Sequence, residues 1–66
     1  MQVTVNGTLT PCPEGLSVGQ LLRQLQLPVD RVAVERNRQI VRRELRDEVR
    51  VEPGDVFEIV TFVGGG

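Results

Sequence analysis

Alternating hydrophobic and polar residues at the start of the chain predict a β-hairpin. Over residues 1–5 two valines alternate with polar side chains, which is the period of a half-buried strand. Asn6 and Gly7 follow, and both tolerate the positive φ angles that a tight hairpin turn requires. A second strand over residues 8–10 is then expected, ending at Pro11, because proline cannot donate to a strand ladder.

The next segment has the pattern of an amphipathic helix. Ser17 and Gln20 have the spacing of a capping box, in which each side chain binds the other residue's backbone N–H. The apolar residues that follow recur at helical spacing and form one stripe: Val18, Leu21, Leu22 and Leu25. Pro28 is expected to end the helix, because the residue before a proline is disfavoured in helical geometry.

Shorter elements are predicted between this helix and the last strand. In chain order they are a strand over 32–34, a turn at Asn37-Arg38, a strand over 39–41, a helical turn around Leu45 and a short strand over 49–51. Residues 42–48 have no clear period, so the helical turn is the weakest pattern among them.

The last strand is predicted over residues 56–63, after a type II turn at Pro53-Gly54. Its nearly continuous apolar character favours a central position in the sheet. One helix covers only one face of a sheet, and a right-handed crossover returns the chain beside the first strand. The pattern therefore predicts an α+β protein of β-grasp architecture, with a mixed sheet, one main helix on one face, and parallel, adjacent first and last strands.

Three glycines, Gly64 to Gly66, follow this strand and are predicted to form a flexible tail beyond a domain over residues 1–63. Glycine loses the most backbone entropy on ordering, so it is a poor choice for reinforcing a fold. A slender segment can enter a narrow channel of a partner and present its carboxylate there. The alternative is a frayed chain end, because termini are often disordered.

Composition argues against a catalyst, a nucleic-acid partner and a membrane segment. The 66-residue chain contains no histidine, and its one cysteine cannot form a disulfide within it or a zinc site. The arginines near the middle of the chain lack interleaved aromatic residues and are interpreted as a solvated face. No apolar stretch approaches the roughly 20 residues that span a bilayer, and no signal peptide is recognised, so a reducing cytoplasm is expected.

The carboxylates also offer no clear catalytic pair. They are interpreted as surface groups, because a perturbed carboxylate needs a dry cleft that so small a core can hardly provide: Glu35, Glu44, Asp47, Glu48, Glu52, Asp55 and Glu58. No catalytic residue and no metal ligand is predicted.

The two faces of the last strand predict where a partner could bind. Glu58, Val60 and Phe62 share one parity, and the charge of Glu58 indicates that this side is wet. Val60 and Phe62, with Val63 beside them, are therefore predicted to contact a partner. The alternative for Phe62 is ordinary core packing, since a small domain needs its large residues.

These segments together resemble the sulfur carrier proteins of thiamine biosynthesis, a ubiquitin-like family. The resemblance rests on five stretches: Val3–Gly7, Leu16–Leu22, Val32–Asn37 with Ile40-Val41, Pro53–Asp55 with Glu58–Val60, and the closing Gly65-Gly66. It covers essentially the whole chain. The chain departs from the family in having Arg42 where a proline often follows the Ile-Val pair, and in having a third glycine, Gly64.

The resemblance implies that Gly66 is the reacting residue and that Gly64 and Gly65 thread into a partner. A ubiquitin-activating-like adenylyltransferase would use ATP to adenylate the Gly66 carboxylate, and a persulfide donor of the cysteine desulfurase type would convert it to a thiocarboxylate. Thiazole synthase would accept the sulfur. The carrier itself would bind no cofactor, and ATP would be consumed by its partner.

Three other functions stay open at this point. The chain could be a sulfur carrier of another pathway, such as the small subunit of molybdopterin synthase, or a ubiquitin-like protein modifier, or a passive binding domain. A further question concerns Cys12, which could carry sulfur as a persulfide. No cation adjoins it in the sequence to activate the thiol, so a structural thiol is the favoured interpretation.

Overall fold

The N-terminal hairpin forms because its two turn residues adopt left-handed backbone geometry. The computed structural model describes residues 1–62. Strand β1 (Gln2–Val5) pairs antiparallel with β2 (Thr8–Pro11), and Asn6 and Gly7 between them have φ angles of 51° and 83°. Both values match the type I′ turn that suits the twist of a hairpin. The predicted hairpin is confirmed, with Pro11 as the last residue of β2.

Helix α1 (Val18–Gln24) begins at the predicted capping box. The Ser17 hydroxyl accepts from the Gln20 N–H at 3.1 Å, and the Gln20 side-chain oxygen accepts from the Ser17 N–H at 2.9 Å. The predicted end at Pro28 is wrong, because the helix stops at Gln24. Gln26 has a φ of 59° and turns the chain out of the helix before the proline can act.

The segment after the helix contains two short strands and two single 3₁₀ turns. Strand β3 (Val32–Arg36) and strand β4 (Gln39–Ile40) form a second hairpin. The 3₁₀ turns span Val29–Arg31 and Arg43–Leu45. The predicted helical turn around Leu45 is therefore confirmed, and β3 is longer than the period indicates.

The short strand predicted over residues 49–51 is wrong. This segment makes one isolated antiparallel bridge, between Ser17 and Arg50. The Val18 N–H donates to the Val49 carbonyl at 2.9 Å, but the chain enters α1 at this residue. A ladder cannot continue once its partner has become helical, so pairing stops after one bridge.

Strand β5 (Val56–Thr61) occupies the centre of a five-stranded sheet. The strand order is β2-β1-β5-β3-β4, with β5 parallel to β1 and antiparallel to β3. Gly54, with a φ of 83°, supplies the predicted turn before it, and the Asp55 N–H donates to the Glu52 carbonyl at 3.1 Å. The predicted β-grasp architecture and the parallel pairing of the first and last strands are confirmed.

One hydrophobic core lies between the sheet and α1. Its fully buried members come from the helix and from three strands: Val3, Val18, Leu21, Leu22, Val32, Val34 and Phe57. Phe57 is the largest of these side chains. β5 is flanked by a strand on each side and covered by the helix, so it joins the two hairpins into one sheet.

Two asparagine side chains extend the pairing of β5 beyond its neighbouring strands. The Asn6 amide exchanges two hydrogen bonds with the Ile59 backbone, at 3.0 Å and 2.8 Å. On the other edge of β5, the Asn37 side-chain oxygen accepts from the Val56 N–H at 2.9 Å. Each turn therefore satisfies backbone groups of the central strand that a neighbouring strand would otherwise bind.

Candidate functional site

The candidate site is built where the central strand ends. The Phe62 N–H donates to the Arg31 carbonyl at 2.7 Å, so one residue after β5 the chain is still bonded to the residue that precedes β3. The side chain of Phe62 is 58% exposed and that of Val60 is 60% exposed, whereas Phe57 and Ile59 are buried. The alternation predicted for this strand is confirmed, and the alternative that Phe62 belongs to the core is wrong.

Other strands extend this exposed surface, which we call the outer face. It is the face of the sheet opposite α1, and strand pairing places these residues on it: Thr4, Leu9, Ala33, Glu35, Ile40, Val56, Glu58 and Val60. Leu9 and Ile40 are 67% and 76% exposed, and neither was predicted from the sequence. In strands as short as β2 and β4, alternation gives too few positions to assign a face.

A groove runs along the outer face next to Phe62. It has a volume of about 380 Å³ and is formed by β3, β4, the end of β5 and the residues after β4. Val60, Phe62 and Ile40 provide apolar walls, while Glu58 and Arg42 also line it. An apolar surface with a few charged groups at its margins is typical of a protein contact.

Asp55 corrects the interpretation of every carboxylate as a surface group. It is 5% exposed, and its carboxylate accepts from Arg36 Nε at 2.7 Å, from Asn37 Nδ2 at 3.1 Å and from the Glu52 N–H at 2.8 Å. Burial raises the pKa of Asp55, but these hydrogen bonds and the Arg36 charge outweigh burial and lower the pKa below its usual value. Asp55 is thus a structural carboxylate that accepts three hydrogen bonds, and it has no role in proton transfer near neutral pH.

Arg46 is a second buried charge that the sequence pattern did not reveal. Its guanidinium donates to the Val29 carbonyl at 2.7 Å and to the Val32 carbonyl at 2.8 Å. Burial, and then the nearby Arg43, lower the pKa of Arg46, while Asp30 opposes them. Because β4 is too short to reach the start of β3, Arg46 takes the place of a strand there and closes one wall of the groove.

Cys12 is buried in the hydrophobic core at 7% exposure, which suits a structural thiol. Its lack of a role in sulfur transfer stays a prediction. Within residues 1–62 no three His, Cys, Asp or Glu side chains are close enough to hold a metal ion. In the same part of the chain, no helix has both the length and the apolar character needed to cross a membrane.

The predicted reacting end is not among the described residues. Val63, Gly64, Gly65 and Gly66 lie outside them, and so does the predicted boundary between domain and tail. The structure therefore places only one side of the candidate site, the outer face and Phe62, from which residues 63–66 continue.

These features are those of a small β-grasp domain with an exposed sheet face, and its sequence closes with three glycines. The sequence model of the ThiS family matches residues 3–66. Since this match covers nearly the entire chain, the chain belongs to the ThiS family.

Individual relatives agree with this assignment. A sulfur carrier protein ThiS from Bacillus subtilis is 46% identical over 50 residues, which are 76% of this chain and 76% of the relative. The crystal structure of the thiamine biosynthesis protein ThiS from Geobacter metallireducens superimposes with a TM-score of 0.85 at 38% identity, covering 100% of both chains.

Longer relatives contain a region similar to the whole chain. A thiazole synthase from Paramagnetospirillum magneticum is 39% identical over all 66 residues. The chain spans 20% of the length of this protein, and 20% of a second thiazole synthase from Magnetococcus marinus.

Proposed function

We propose that this chain is a sulfur carrier of thiamine biosynthesis, acting in the cytoplasm as a substrate of its partner enzymes and not as a catalyst. The observation that carries the proposal is that the ThiS family match runs through Gly66, so it includes the glycines as well as the fold. A carrier role is supported by the lack of histidine in the sequence and by the structural hydrogen bonds that engage Asp55.

The reacting group in this proposal is the carboxylate of Gly66. A free carboxylate resists attack by sulfur because its leaving group would be oxide. An adenylyltransferase of the ubiquitin-activating type joins this carboxylate to AMP from ATP, with release of pyrophosphate. A persulfide sulfur, from a donor of the cysteine desulfurase type, then attacks the carbonyl carbon and displaces AMP. A second thiol cleaves the resulting S–S bond, and the thiocarboxylate remains on Gly66.

Thiazole synthase is the proposed acceptor of this sulfur. The thiazole synthases that contain a region similar to this chain support the pairing, because that region and the rest of a thiazole synthase form one polypeptide there. The chain requires no bound cofactor in this scheme. ATP is consumed in the partner's active site, where positioning and transition-state stabilisation are supplied.

The outer face is the proposed docking surface for these enzymes. Residues 63–66 span at most about 14 Å when extended, so an enzyme that holds Gly66 must cover the surface around Phe62. Val60 and Phe62 are exposed there, and together with Val63 they are proposed to contact the partner. Gly64 and Gly65 then thread into its active site.

Phe62→Ala is expected to weaken binding to the adenylyltransferase about tenfold, because burial of an aromatic side chain contributes strongly at an interface. Since Phe62 is more than half exposed, the urea midpoint of the isolated chain should change little. Isothermal titration calorimetry measures the affinity. Leu45→Ala is the matched control, since Leu45 is 42% exposed, lies in the 3₁₀ turn Arg43–Leu45 and does not line the groove. Equal affinities of the Phe62→Ala variant and the unmodified chain would remove Phe62 from the interface.

The function itself is tested by intact-protein mass spectrometry. The chain is incubated with ATP, the adenylyltransferase and a persulfide donor, and the expected mass gain equals the exchange of one oxygen for sulfur. The Cys12→Ala variant should show the same gain, which separates a thiocarboxylate from a cysteine persulfide. Attachment to another polypeptide would indicate a protein modifier, and no change would indicate a passive domain.

A genetic test separates thiamine from other sulfur pathways. A strain lacking this chain should require thiamine, and supplied thiazole should restore its growth. A growth defect that neither thiamine nor thiazole relieves would favour the alternative of a molybdopterin-type sulfur carrier.

A further inference from the structure

Two carboxylates face each other at the middle of the outer face. Glu35 on β3 and Glu58 on β5 are direct cross-strand partners, and both are exposed. Residues in this relation have Cβ atoms roughly 5 Å apart, and like charges at such a distance destabilise the pairing of the strands. Hydrophobic or oppositely charged residues would suit the fold better at these positions.

No ion pair among the described residues compensates this repulsion, although Arg38 lines a second groove together with Glu58. Within residues 1–62 the ion pairs at 4.0 Å or less are Arg23–Asp47, Arg36–Asp55 and Arg42–Glu44. None of them includes Glu35 or Glu58. Arg42 lines the same groove as the two glutamates, but it is directed to Glu44 at 3.3 Å. Among the described residues, the repulsion between Glu35 and Glu58 is therefore relieved by no ion pair.

Exposed apolar side chains flank the carboxylate pair on the outer face. Ile40 is the partner of Glu35 on strand β4. On the same face of the sheet, the cross-strand pair that follows Glu35 and Glu58 is formed by Ala33 and Val60. Ile40 and Val60 are 76% and 60% exposed, and both line the groove. The surface thus combines an apolar margin, which favours contact with a protein, with a concentrated negative charge at its centre.

We propose that the outer face is recognised by a basic side chain of the adenylyltransferase that lies against both Glu35 and Glu58. Arginine suits this position best, because its planar guanidinium can donate to two carboxylates at once. The complex then gains the attraction of both charges and relieves their mutual repulsion. This inference rests on the proposed function, which places the adenylyltransferase over the surface around Phe62.

The test compares two properties of the double variant Glu35→Gln/Glu58→Gln. Its affinity for the purified adenylyltransferase, measured by titration calorimetry without ATP, is expected to fall about tenfold. The salt dependence of binding should become shallower, because screened charge attraction has been removed. The urea midpoint of the isolated variant should stay the same or rise, since the substitution removes a repulsion. A purely structural role for the pair predicts the opposite change in stability.

Glu14→Gln/Glu52→Gln is the matched control. It removes the same charge from two exposed side chains that do not line the groove. Its affinity should stay within about twofold of the unmodified chain, because charges away from the contact act only through the screened field. An equal loss of affinity in both double variants would show that net charge alone matters, and would overturn the proposal.

Failure of this inference differs from failure of the proposed function. Unchanged affinity and salt dependence in Glu35→Gln/Glu58→Gln would overturn the recognition of the carboxylate pair, even if Gly66 acquires sulfur normally. Failure of the unmodified chain to bind the adenylyltransferase would overturn it as well. Normal binding that depends on the two glutamates, without any sulfur on Gly66, would instead reject the carrier mechanism and leave the docking inference standing.

Discussion

Deletion of Gly65 and Gly66 is expected to abolish formation of the thiocarboxylate while leaving the folded domain intact. The shortened chain still ends in a glycine carboxylate, but its reach beyond Phe62 falls by about 7 Å. The carboxylate then cannot meet ATP in the partner's active site, because adenylation requires the reacting group to be positioned there. Mass spectrometry of the intact chain after incubation with ATP and the adenylyltransferase measures the loss.

A chain shortened by one glycine is the matched control. It keeps a terminal Gly-Gly pair after Val63. We expect it to remain a substrate. Binding without ATP should persist in both shortened chains, since Phe62 and the rest of the outer face are retained. Full sulfur loading of the chain that lacks two glycines would contradict the proposed role of the tail.

Asp55→Asn is expected to lower the free energy of unfolding by about 2–3 kcal/mol. The substitution keeps the shape of the side chain but removes the charge that Arg36 binds at 2.7 Å, and it turns an amide N–H toward other donors. Loss of a charged hydrogen-bond acceptor among buried donors has this magnitude. For a 66-residue domain whose whole stability is about 3–10 kcal/mol, that is a large share. Urea unfolding measures it.

The same variant should change the pH dependence of stability. Because the pKa of Asp55 in the folded chain is lower than its ordinary value, the ionised carboxylate stabilises the fold above about pH 4. This stabilisation is lost as the pH falls through the lowered pKa. The unmodified chain should therefore lose stability on acidification below about pH 4, with a shallower dependence in Asp55→Asn.

Asp47→Asn provides the control for both measurements. Asp47 also pairs with an arginine, Arg23, at 3.4 Å, but both side chains are more than half exposed. Exposed ion pairs contribute little, so this variant should unfold close to the unmodified chain at every pH. If Asp55→Asn behaved the same way, the buried network would not stabilise the fold as argued.

Local patterns predicted the elements whose causes are local. The capping box at Ser17, the helical stripe from Val18 and the turn at Asn6-Gly7 each depend on residues a few positions apart, and all appear in the structure. The apolar run of β5 predicted its central place, because only a strand covered on its sides and one face tolerates it. The β-grasp architecture followed from these elements and the handedness of crossovers.

Predictions failed where a distant part of the chain decides the outcome. The segment over 49–51 has the composition of a strand, but it is bridged to the residue before α1, and the chain leaves strand geometry at Val18. The helix ends before Pro28 because Gln26 adopts a positive φ, which residue type alone does not predict. The surface position predicted for Asp55 is wrong because its partners, Arg36 and Asn37, lie 19 and 18 positions away.

The same distinction between local and distant causes applies to the residues of the candidate site. Contiguous residues are enough to predict the glycine end, the family of the chain and the parity that exposes Val60 and Phe62. The position of Glu35 opposite Glu58, the contact of Arg46 with the groove and the burial of Asp55 became visible with the folded chain. These are relations between strands brought together across the sheet, and strand register is set by the packing of the whole core.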